Sequence, residues 1–101
     1  MTIGKIHRLD EYRYLSRSDA DSFHTNAPYG YAMGERPYVV RIEAFGWIAY
    51  AADATPTLVA RRAIHHLRYL HRVSGEKSRL PRKTMTRMRK RLLKQARQML
   101  Q

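Results

Sequence analysis

Residues 37–52 read PYVVRIEAFGWIAYAA. The stretch is rich in β-branched and aromatic residues, with a single glycine, Gly46, near its middle. That composition is the signature of two strands joined by a turn. The spacing predicts a hairpin of residues 38–44 and 47–52, with Ala44-Phe45-Gly46 as the turn. In the second arm Trp47, Ala49 and Ala51 share one face, and Ile48, Tyr50 and Ala52 share the other. Val39 and Val40 break strict alternation, so the first arm is expected to be covered on both faces.

A helix follows directly. Thr55 stands where an N-cap belongs, and Pro56 occupies the first helical position, where its missing N–H costs nothing. Gly75 lies just past the far end, where a left-handed cap would need it. Between them Val59, Ala63, Leu67 and Leu70 keep helical spacing, widened by Ala60 and Ile64. Arg61, His65, Arg68 and Arg72 fall on the opposite side. SGEKSRLPRK is a polar linker, and Pro81 or Thr84 starts a last helix. Its apolar stripe is Met85, Met88, Leu92, Ala96 and Met99, flanked by Leu93 and Leu100. Arg87, Lys90, Arg91, Lys94 and Arg97 cover the rest, while Arg89 projects within the stripe and is expected to snorkel.

Upstream of the hairpin the signals are weaker. IGKIHRL, residues 3–9, reads as an edge strand, and EYRYLS alternates weakly. Ser18 with Asp21 resembles a capping box for a short helix that NAPYG stops. GERP, residues 34–37, reads as a turn. The whole predicts an α+β fold: a small antiparallel hairpin or sheet on a central helix, plus a basic amphipathic C-terminal helix. Residues 1–75 form the compact domain. Residues 76–101 form the polar linker and basic helix, assigned to the same domain.

At 101 residues the chain has room for one small core. It has no cysteine, so disulfides and thiolate metal sites are excluded. No apolar run approaches the ~20 residues of a membrane span. The start, MTIGKIHRLDEYRY, lacks the apolar centre of a signal peptide, so a cytoplasmic protein is expected.

Charge carries the functional signal. The net charge is +12. Residues 1–53 hold six Lys/Arg against seven Asp/Glu, whereas residues 54–101 hold fourteen against Glu76 alone. Solvated helix faces usually mix signs, because opposite charges at i,i+4 help a helix by ~0.3 kcal/mol and like charges cost a similar amount. A face this uniform implies an anionic partner. Fifteen of the twenty bases are arginine, whose planar fork grips phosphate with two parallel bonds. The expected function is non-catalytic binding of nucleic acid, RNA or DNA. One arm of the surface is Arg61, Arg62, Arg68 and Arg72; the other is Arg87, Lys90, Arg91, Lys94 and Arg97. Tyr69, on the cationic side of its helix, is a candidate for base stacking. Tyr12, Tyr14, Tyr29, Tyr31, Tyr38 and Tyr50 are expected in the core and its rim.

Other chemistry has little footing. His65, His66 and His71 are one, five and six residues apart. A two-histidine metal clip on a helix needs a spacing of four. No metal site, cofactor or catalytic residue is assigned. His71 is placed in the core, and His65 adds charge to the basic face when protonated. The last helix lacks the Trp or Phe that marks membrane insertion. Its Met/Leu stripe also offers a seam for a homodimer.

Two partial likenesses exist. RPYVVRIEAFGWIAYAADATPTLVARRAIHHL has an outline similar to the strands and final helix of the double-stranded-RNA-binding domain. It departs from that family in lacking a lysine pair, a small-residue run at the helix start and a third strand. RIEAFGWIAY is similar to hairpins of small phage proteins that inhibit host defence, including anti-CRISPRs, over about ten residues. That likeness implies a rival function: an inhibitor or adaptor, of phage or mobile-element type, docking its basic face on an acidic protein or ribonucleoprotein.

Overall fold

A computed structural model describes residues 1–8 and 37–100. The expectations for residues 9–36, including the Ser18 cap, the NAPYG and GERP turns and four of the tyrosines, lie outside the described residues. Along the chain run β1 (Thr2–Ile3), β2 (His7–Arg8), β3 (Tyr38–Ala44), β4 (Trp47–Asp53), α1 (Pro56–Val73) and α2 (Arg82–Met99). The strands make one antiparallel sheet packed against two helices, an α+β fold. β3 is its centre: β4 pairs along one side, while β1 and β2 pair in tandem along the other.

The hairpin forms as its sequence requires. Tyr38 faces Asp53, and Ala44 faces Trp47 across a two-residue turn, Phe45-Gly46. Both turn residues have positive φ, 55° at Phe45 and 80° at Gly46. A turn with both central residues left-handed matches the twist of the strands it joins. Asparagine is the usual occupant of the first position; here it is a phenylalanine, 40% exposed. One face of the hairpin, with Val40, Ile42, Ala44, Ala49 and Ala51, enters the helix-packed core. On the other face Val39 and Ala52, paired across the hairpin, are also fully buried. The break in alternation at Val39-Val40 thus reflects covering on both sides.

The edge strand at the N-terminus is real but interrupted. Ile3 pairs with Ile42, yet His7 pairs with Val39. Three residues therefore oppose two, which is a β-bulge. Gly4 N–H donates to the Arg41 carbonyl at 2.8 Å. A Cβ on Gly4 would stand 2.4 Å from that same oxygen, so only glycine lets the backbones approach this closely. The bulge frees polar groups that the ladder no longer satisfies. Gln95, from the far end of the chain, takes them up. Its amide nitrogen donates to the Gly4 carbonyl at 3.2 Å, and its carbonyl oxygen accepts from Ile6 N–H.

Both helices obey their punctuation. The Thr55 hydroxyl accepts from Leu58 N–H at 3.1 Å, and Gly75 takes φ +77° beyond the C-terminal end of α1. α2 begins at Arg82 with Pro81 as cap and no side-chain cap bond. Val59, Ala60, Ala63, Ile64 and Leu67 of α1 join Met85, Met88, Leu92 and Ala96 of α2, together with Ile6 and the hairpin, in one cluster. The C-terminal helix therefore shares the core of the sheet. Most of the Met/Leu stripe lies inside the chain's own core. Only its end emerges, with Met99 37% and Leu100 63% exposed.

Candidate nucleic-acid interface

The linker between α1 and α2 is short, which makes consecutive helices antiparallel neighbours. Residues 60–68 of α1 accordingly face residues 82–93 of α2 across a groove. Its floor is apolar, formed by Ala60, Ile64, Met85 and Leu93. Its walls are cationic, formed by Arg61, Arg68, Arg82, Arg89 and Lys90, with His65 at one rim. None of these lining residues is acidic. The pattern has a simple origin. Arg61 and Arg68 are seven residues apart, two turns or about 10.5 Å along α1. They therefore share a side, next to the buried stripe of Ala60, Ile64 and Leu67. Arg82 and Arg89 have the same spacing on α2, beside Met85 and Leu92. Antiparallel packing then sets the two rows face to face.

Arg89 explains itself here. It is exposed although it interrupts the apolar stripe. It borders the groove beside Ala60, Ile64 and Leu93, where its methylenes can cover apolar surface while the guanidinium stays in water. Around the groove's narrower part, about 200 Å³ in volume, stand Arg61, Arg68 and Arg89.

The sequence-predicted residues divide into groups. Arg61, Arg68 and Lys90 line the groove. Arg97 is exposed one turn beyond Leu93 on the groove side of α2. Arg87, Arg91 and Lys94 are exposed too, but helical spacing carries them round to the side of α2 away from α1. The two expected arms therefore do not form one continuous surface. Arg62 is paired within the fold. Its Nε lies 2.7 Å from Asp53 Oδ2 in a largely buried ion pair, and Asp53 also accepts from Ala54 N–H. Arg62 thus neutralises a carboxylate that is only 8% exposed and is committed to the fold. Arg72 lies over the Tyr69 ring at 5.8 Å. Tyr69 is 40% exposed and stacks at 6.3 Å on His66. It is not among the residues that line the groove.

Arg82 and Arg89 complete the groove and were not among the sequence-predicted site residues. The signal for Arg89 was present: a cation set inside an apolar stripe marks the edge where two helices meet. Arg82 offered no such mark, because the helix start was placed only to within Pro81 or Thr84.

The histidines serve separate ends. His66 Nδ1 is 3.1 Å from the Tyr50 carbonyl, which can only accept, so Nδ1 carries the proton. Burial pushes the His66 pKa below its usual value, and the bond to Tyr50 partly opposes that. His71, expected in the core, is only half-buried. Among the described residues no group of three His, Asp or Glu side chains is placed to hold a metal ion. No helix among them is long and apolar enough to cross a membrane. Comparison with protein-family models, with curated proteins and with solved structures finds no match.

Proposed function

We propose that this protein binds nucleic acid without catalysis, through the cationic surface of α1 and α2. The observation that carries the reading is the convergence of Arg61 and Arg68 with Arg82, Arg89 and Lys90 on one groove whose described lining is free of acids. Like charges gathered in a concave site repel one another, and a bound polyanion relieves that repulsion. Arginine forks suit phosphate oxygens, so the contacts position a backbone rather than read a sequence. Arg87, Arg91, Lys94 and Arg97 extend the positive field around α2 and favour encounter.

The test is affinity against salt concentration for labelled RNA and DNA. If about six phosphates of a duplex are neutralised, log K falls against log salt with a slope near −5. A slope near zero refutes the reading. Copurification of a defined protein, free of nucleic acid, would transfer the basic face to the rival inhibitor or adaptor role.

A further inference from the structure

We infer that the α1–α2 groove takes a single strand of nucleic acid rather than a duplex, with one backbone phosphate seated among Arg61, Arg68 and Arg89. This rests on the nucleic-acid reading above and narrows it. The cations that line the groove face inward from two helices. Packed helix axes stand ~8–10 Å apart and each helix with its side chains is ~10–12 Å across, so the groove is a shallow crease rather than an open cleft. A duplex is therefore too broad to descend between α1 and α2, and its phosphates would reach only the rims. A single backbone can follow such a crease with one phosphate held between the arginines of its two sides.

The floor favours the same occupant. Ala60, Ile64 and Leu93 are apolar and offer nothing to the solvated phosphates of a duplex. Ala60 and Ile64 are almost wholly buried, 1% and 4% exposed, so half-buried Leu93 is the apolar surface open to a sugar or the edge of a base, which a single strand leaves free. Around them Arg61, Arg68 and Arg89 approach one volume from both helices. A phosphate at that point would receive charge-assisted bonds from both walls.

The experiment compares Arg61→Gln/Arg89→Gln, one residue from each wall of the groove, with Arg87→Gln/Arg91→Gln on the outer side of α2, two pairs that remove equal charge. Fluorescence anisotropy is read with a short labelled single strand, a duplex of the same sequence, and polyglutamate of equal charge. Circular dichroism shows that each variant is folded. Each phosphate contact on a single strand contributes about 0.7 to the salt slope, so losing the one phosphate that Arg61 and Arg89 share weakens binding by about eightfold at 50 mM salt and about threefold at 200 mM. The groove pair is expected to show that loss on the single strand, and the outer pair only a small part of it. Equal losses from both pairs, or tighter binding of duplex than of single strand, overturn the inference and leave the nucleic-acid reading standing. If no nucleic acid binds in a salt-dependent way, or polyglutamate competes as well as the strand, both fall together.

Discussion

Gln95 is the side chain on which the placement of α2 depends most directly. It reaches back about ninety positions, to Gly4 and Ile6, and satisfies two backbone groups that the bulge strands. Gln95→Met keeps the length and helix propensity of the side chain and removes both bonds. Ile6 is 1% exposed, so water does not reach its N–H, and an unsatisfied buried donor costs ~1–3 kcal/mol. Gly4 is half-buried, and its carbonyl can recover part of its loss from solvent, for ~0.5–1 kcal/mol more. The expected destabilisation is about 1.5–4 kcal/mol. For a domain of this size each kcal/mol shifts Tm by ~4–8 °C, so a fall of at least about 6 °C follows. Urea denaturation followed by circular dichroism should show a lower midpoint with an unchanged slope. Gln98→Met, an exposed glutamine on the same helix, is the control and should stay within ~0.5 kcal/mol of wild type. A Gln95→Met midpoint indistinguishable from that control would refute the role assigned to Gln95.

Two further outcomes follow from other parts of the fold. Phe45 sits at φ 55° in the hairpin turn, a conformation that costs a non-glycine residue ~1–2 kcal/mol. Phe45→Asn should therefore raise stability by about 1 kcal/mol in thermal or urea melts, and a loss of stability would contradict the turn assignment. His66 is held below its unfolded value of 6.5 by burial. As pH falls through 6.5 the unfolded chain takes up a proton that the folded chain resists. Stability contributed at that site is thus full above 6.5 and declines below it until the folded value is passed. Denaturation midpoints across this window should decline less in His66→Gln than in wild type, and parallel profiles would rule the effect out.

Local chemistry made much of this fold legible. The Phe45-Gly46 turn, the Thr55-Pro56 start and the Gly75 stop are short-range features, each set by a residue's own backbone preference, and the structure agrees with them. The hairpin faces followed from alternation, and the buried part of α2 from its helical period. What stayed hidden depends on distant partners. β1 and β2 are two residues each, too short to show a period, and their bulge is completed by Gln95 from the last helix. Arg62 looked like any other cation on α1, because periodicity does not reveal an Asp53 carboxylate waiting beside it. The site was half visible for the same reason. Charge asymmetry identified both helices, but only their antiparallel packing selects Arg61, Arg68, Arg82, Arg89 and Lys90 as a group and leaves Arg87, Arg91 and Lys94 behind.

The most direct test of the central claim is the salt dependence of wild-type affinity for a labelled single strand, measured by anisotropy between about 50 and 200 mM salt. With one phosphate shared by Arg61, Arg68 and Arg89 and one each on Arg82 and Lys90, the account predicts a slope of log K against log salt of about −2 and a loss of roughly 18-fold across that range. An affinity that stays flat across the same range would contradict it.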